Sequence, residues 1–238
     1  MVKESFKGIA CLKIRNMKGR IYLISGLGAD LRAFRKLKFP AGFEIVYLNW
    51  IAAMDKESLE HYALRLAAAI DTSAPFYLIG LSFGGMLAVE IAKKLKPVHT
   101  FLISSTPIYK QLPWYFRTAG QLHLQKLVPV KLMQKGNRAG LRFLGARSIE
   151  EKRLLKQLVL DSDPIFMKWA LTAILSWRNT EKPTHLTHIH GNADYILPSR
   201  YYTPDLVIEG GSHFMIYAKA EEISAAIKIR LDQQDNAG

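Results

Sequence analysis

The stretch GLSFGG, residues 80–85, stands between the apolar run PFYLI (75–79) and the helical pattern MLAVEIAKKL (86–95). The run reads as a buried strand, and the pattern after it reads as a helix stopped by Pro97. A turn this sharp between strand and helix brings the residues two before and two after its apex together. Both must be small, and they are Gly80 and Gly84. The apex is Ser82, held in a strained backbone conformation with its side chain lifted above the sheet edge. Strain of about 1–3 kcal/mol is kept mostly where it serves a site. A helix starting at Phe83 points free N–H groups and its positive dipole end toward that site. The arrangement suits a nucleophile that generates and holds an oxyanion.

The same rhythm runs along the chain. IYLIS (21–25), FEIVYL (43–48), PFYLIG (75–80), HTFLIS (99–104), LTHIHG (186–191) and DLVIEG (205–210) read as buried strands. Leu59, Tyr62, Ala63, Leu66, Ala67 and Ile70 form one face of a helix between the second and third. This alternation predicts an α/β fold: a mainly parallel, doubly wound sheet with helices on both faces. From Thr106 to Thr184 no strand pattern appears. Helices are expected around Leu122–Met133, around Glu150–Leu160 and over Pro164–Trp177. Asp163 caps the last and Pro164 suits its first turn. Its stripe of Phe166, Trp169, Ala170, Ala173, Ile174 and Trp177 is read as core packing. Residues 107–162 are expected to form a helical insertion, a cap over one end of a single domain.

Composition narrows the class. The chain has 238 residues, 49% of them hydrophobic and 22% charged, which fits a globular protein with a sizeable core. No apolar stretch is long enough to span a bilayer. The opening MVKESFKGIACLKIRNMKGR is basic without an apolar block, so a cytoplasmic location is expected. Cys11 is the only cysteine, which excludes an internal disulfide, and it reads as structural. The net charge of +13 comes from dispersed Lys and Arg, so no nucleic-acid partner is expected. The basic residues are densest from Lys110 to Lys156: Lys110, Arg117, Lys126, Lys131, Lys135, Arg138, Arg142, Arg147, Lys152, Arg153 and Lys156, against Glu150 and Glu151 alone. That density is read first as a solvated surface. Its sharper readings are attraction of an anionic substrate, or contact with an anionic membrane surface.

Serine needs a base, and the base needs an orienting acid. Asp194 follows the strand LTHIH and His213 follows the strand DLVIE, both at the carboxyl edge that Ser82 occupies. Asp161, Asp163 and Asp205 are the competing acids. His188 and His190 alternate along a strand without a third ligand at metal spacing, so they are read as packed histidines. No cofactor or metal is expected.

SGLGAD (25–30), GLSFGG (80–85), HGNADYILP (190–198) and GGSHFMI (210–216) together resemble the α/β-hydrolase family, over most of the chain from Gly19 to about Leu231. The resemblance implies that Ser82 attacks, His213 shuttles the proton and Asp194 orients the imidazole. It implies an oxyanion hole from the backbone N–H groups of Leu27 and Phe83. Ser25 stands where many members have histidine, and only Gly8–Arg15 is left for the family's opening hairpin. Asp30 is read as a loop cap. The implied activity is cleavage of a carboxylic ester or related acyl compound through an acyl-enzyme, in the manner of a carboxylesterase. Leu112, Trp114, Phe116, Leu122, Leu127 and Met133 of the cap are available to an apolar substrate part or to packing. An acyltransferase, a carbon–carbon hydrolase or lyase, and a non-catalytic ligand-binding protein remain open on the same fold.

Overall fold

The computed structural model describes residues 17–122 and 138–235. Cys11, Gly8–Arg15, Leu127, Met133, Lys126, Lys131 and Lys135 lie outside the described residues, as does the helix expected around Leu122–Met133 except for Leu122. Six strands form one parallel sheet: β1 (Gly19–Ile24), β2 (Phe43–Tyr47), β3 (Phe76–Leu81), β4 (His99–Ile103), β5 (Leu186–Gly191) and β6 (Leu206–Ile208). Their order is β2-β1-β3-β4-β5-β6. The order reverses between β1 and β3, so the loops leaving those strands diverge and open a crevice at the carboxyl edge.

Alternation along the strands divides the core in two. Tyr22, Ile24, Leu78 and Leu102 face one layer, with α1 (Leu59–Leu66), α2 (Phe83–Leu95) and α6 (Pro164–Ser176) packed on it. Ile21, Leu23, Ile79, Phe101, Ile103 and Ile189 face the other, with α5 (Ile149–Asp161), the short α7 (Met215–Ala218) and α8 (Ala220–Asp235). The central strands β3, β4 and β5 are buried throughout, but β2 and β6 are partly exposed. They are the two edges of the sheet, where each strand has one neighbour and incomplete cover. The expectation that all six are buried is corrected there.

Sequence signals set the helix ends. Ser58 accepts a hydrogen bond from the His61 N–H at the start of α1. Ser148 and Glu151 form a reciprocal capping box on α5. Asp163 caps α6, with Pro164 in its first turn. Helix α6 provides the crossover that parallel neighbours β4 and β5 require. Trp177, just past its end, is 1% exposed and donates its indole N–H to Glu90 at 2.8 Å. Trp169 donates to the Glu57 carbonyl at 3.0 Å. Both tryptophans belong to the packing.

Two short helices carry no clear signal in the sequence: α3 (Trp114–Gln121) and α4 (Arg138–Phe143). Leu112 is buried in the core and Phe116 packs against it, whereas Trp114 and Leu122 face solvent. Helix α5 is tied to the body at both ends. Arg35 and Lys36 reach Glu150, which also meets the Tyr217 hydroxyl, and Arg32 reaches Asp161 at 2.7 Å. Among the described residues no helix is long and apolar enough to cross a membrane.

Candidate active site

Strand β3 ends at Leu81, and Ser82 takes φ 49° and ψ −115°, a region that L-residues rarely occupy. Its neighbours hold it there. The Ser82 N–H donates to the Ile103 carbonyl at 2.9 Å, and the Ser82 carbonyl accepts from the Ser105 hydroxyl at 2.6 Å. A Cβ at Gly80 would lie 2.5 Å from the Gly84 carbonyl oxygen, and one at Gly84 would lie 2.2 Å from that of Ser25. The elbow therefore closes only with glycine at both positions.

The loops after β5 and β6 are joined by the Ala193 N–H, which donates to the Gly211 carbonyl at 2.9 Å. That junction brings Asp194 and His213 together beside the elbow. His213 Nε2 is 2.9 Å from Ser82 Oγ, and His213 Nδ1 is 2.7 Å from Asp194 Oδ2. Asp194 is 3% exposed and His213 is 8% exposed. Asp194 Oδ1 accepts the N–H groups of Ile196 and Leu197 at 2.8 and 2.9 Å. Burial alone would raise the Asp194 pKa. The facing His213 and hydrogen bonds from His190 and His213 outweigh it, and the pKa falls well below the usual carboxylate value. The competing acids are engaged elsewhere. Asp161 binds Arg32, Asp163 caps α6, and Asp205 accepts the His188 N–H at 2.7 Å.

Gly26 lies against the elbow, since a Cβ on it would sit 3.3 Å from Ser82 Cβ. The next residue is Leu27. Phe83 is the first residue of α2, so its N–H has no helical acceptor. Asp30 caps the short 3-10 turn Leu31–Phe34, as the sequence predicts, and binds Arg32. Ser25 is fully buried, and its hydroxyl donates to the Asp30 carbonyl at 3.3 Å.

The sequence reads His190 as a packed strand histidine, but in the structure it also touches Asp194. Its Nε2 lies 3.1 Å from Asp194 Oδ2 and 2.9 Å from the Leu197 carbonyl oxygen, beside the Tyr202 hydroxyl. Surrounded by oxygens, Nε2 is assigned the ring proton, which leaves Nδ1 to face His188 Nε2 at 3.2 Å. Burial, reinforced by His190, pushes the His188 pKa down to about 3. Asp194 is thus held by four donors, two of them histidines. Among the described residues no group of three His, Cys, Asp or Glu is arranged to hold a metal ion.

The segment between β4 and β5 also reaches the histidine loop. The Phe214 N–H donates to the Leu144 carbonyl at 3.0 Å, and the Ser212 hydroxyl lies 3.4 Å from the Gly145 carbonyl. A cavity of about 1060 Å³ opens along the same sheet edge, beyond Gly28 and Ala29. Trp50, Phe166 and Trp169 line it, and all three rings pack on Phe83, the residue after Ser82. Its wall comes equally from residues 50–60 and from residues 161–177, the latter mostly past the boundary expected for the insertion. Lys56 and Lys168 are the only basic residues lining it among the described residues.

No protein-family model matches the sequence, and no curated protein matches it. Solved structures do. MenH from S. aureus superposes with a TM-score of 0.69 at 14% identity, over 92% of this chain and 95% of that one. A lipase-esterase related protein from Clostridium acetobutylicum gives 0.66 at 18% identity, over 90% and 94%. The esterase EaEST from Exiguobacterium antarcticum gives 0.66 at 13% identity, over 91% and 93%. The chain has the α/β-hydrolase fold.

Proposed function

We propose that this protein is a serine hydrolase that cleaves a carboxylic ester or a related acyl compound. The observation that carries the reading is the hydrogen-bonded run from Ser82 Oγ through His213 to Asp194, at a strained strand-to-helix corner. The fold alone hosts many chemistries, so the site decides.

His213 Nε2 takes the Ser82 proton as Oγ attacks the acyl carbon. Asp194 fixes the imidazole tautomer by accepting from Nδ1 and stabilises the imidazolium. The carbonyl oxygen becomes an oxyanion, held by the N–H groups of Leu27 and Phe83 and by the dipole of α2. Collapse breaks the bond to the leaving group, which departs with the proton from His213. Water, deprotonated by His213, then attacks the acyl-enzyme, and the carboxylic acid leaves as Ser82 takes that proton back from His213; the acid then ionises in water.

Turnover of chromogenic esters of increasing acyl length tests the reading. We expect hydrolysis of at least one ester class, abolished in Ser82→Ala. Asp194→Asn should lower kcat by about 10⁴-fold, because the amide no longer fixes the imidazole tautomer. Hydrolysis surviving in Ser82→Ala would refute the proposal.

A further inference from the structure

Large apolar side chains are left in water on the segment between β4 and β5 and in the loop after β5. Trp114 is 59% exposed, Leu122 64%, Phe143 60% and Tyr195 65%, with Tyr115 beside them. They are contiguous. Trp114 and Tyr115 meet edge to face, with centroids 5.9 Å apart. The Tyr115 hydroxyl donates to the Ile196 carbonyl at 3.2 Å, next to Tyr195. The Tyr195 ring meets Phe143 at 6.3 Å. Leu122, just past the end of α3, is exposed as well. Tyr195 directly follows the buried Asp194 in the chain. Scattered exposed apolar residues are ordinary, but a contiguous aromatic patch is not.

The chain segment that contributes Trp114, Tyr115, Leu122 and Phe143 carries charge of one sign in the sequence. Between Thr106 and Ile149 the sequence contains no Asp or Glu. Lys110, Arg142 and Arg147 are exposed there, and among the described residues none of them forms a salt bridge. Beside Trp114 a surface hollow of about 320 Å³ is lined by Arg117 and Arg178 with Tyr109, Thr118 and Gln121. Its two guanidinium groups suit an anionic group such as a phosphate. Exposed aromatics, cations outside the described salt bridges and a hollow lined by two guanidinium groups beside Trp114 are complementary to one kind of surface. Apolar insertion and attraction to negative headgroups reinforce each other there, and stable anchoring takes two such signals.

We propose that the face bearing Trp114, Tyr115, Leu122, Phe143 and Tyr195 seats the protein on an anionic lipid surface, with Arg117 and Arg178 receiving a headgroup phosphate. The inference concerns binding and stands apart from the catalytic reading.

Sedimentation of the full chain with vesicles tests it without reference to turnover. Vesicles of phosphatidylcholine are compared with vesicles in which one quarter of the lipid is phosphatidylglycerol. We expect binding to the anionic vesicles at least about tenfold stronger than to the neutral ones, weakening as added salt shortens the screening length. Trp114→Ala combined with Phe143→Ala should weaken it by about tenfold, and so should Arg117→Gln combined with Arg178→Gln. Lys94→Gln with Lys228→Gln removes the same charge as the arginine pair from exposed positions on other helices, and should leave binding unchanged. Equal binding to both vesicles overturns the proposal. So does an equal loss in the lysine control, or no loss in the aromatic pair. Tighter binding to a short DNA duplex than to the anionic vesicles would assign the face to nucleic acid and overturn it as well.

Discussion

Gly84→Ala is a one-carbon change aimed at the junction of elbow and oxyanion loop. The added methyl would lie 2.2 Å from the Ser25 carbonyl oxygen and 2.3 Å from that of Ile24. Non-bonded carbons settle at about 3.5–4.0 Å, so the two segments must part by roughly 1 Å. Both neighbours are backbone and cannot rotate aside. The displacement pulls the loop carrying Leu27 away from the elbow carrying Phe83. A shift of that size costs about 10²-fold in rate, and loss of one oxyanion donor costs about 10²–10³-fold. The expected result is a kcat lower by about 10²–10³-fold with KM little changed, because the hydrogen bond to the oxyanion forms only in the transition state. The assay is steady-state turnover of the best chromogenic ester, with circular dichroism to show that the variant is folded. A folded Gly84→Ala enzyme with a kcat near that of the parent would refute the account of the elbow.

Two further outcomes follow from buried histidines. His190→Phe removes the donor facing Asp194 Oδ2 while keeping a ring in the core. The remaining carboxylate charge then falls on His213, so the acid limb of the kcat/KM profile should move to higher pH, and His190→Gln should restore much of the original profile. An unchanged profile in His190→Phe would make His190 a packing residue only. His188 and His99 are buried, and burial lowers their pKa values to about 3 and about 4. Their folded values lie below the unfolded value of about 6.5. The unfolded chain therefore binds more protons once pH drops under about 6.5, and stability falls from there toward pH 4 by about 1.4 kcal/mol per pH unit for each histidine. Urea midpoints from pH 7 to 5 check this, and a flat series would contradict it.

The six strands were legible because parallel central strands are continuous apolar runs. Which of them are edges was not, since DLVIEG and FEIVYL read like the strands between them. Helix α6 announced itself through Asp163, Pro164 and a long apolar stripe. Helices α3 and α4 are short, and α3 begins after Pro113 without a side-chain cap, so they carry little periodic signal. Ser82, Asp194 and His213 stood out because each follows a strand at the same sheet edge. The contact of His190 with Asp194 was hidden, because it arises when the turn after β5 folds back over its own strand. Its only trace in sequence is a histidine directly before Gly191. The bonds from Leu144 and Gly145 to the residues flanking His213 bridge about seventy positions, and no local pattern records them.

The central claim is that Ser82 is a nucleophile activated by His213. The most direct measurement is labelling of the intact protein with a fluorophosphonate probe, followed by mass mapping of the modified peptide. The account predicts one adduct per chain, on Ser82, absent in Ser82→Ala and strongly slowed in His213→Ala. An adduct on another residue, or labelling of Ser82 at an unchanged rate without His213, would contradict it.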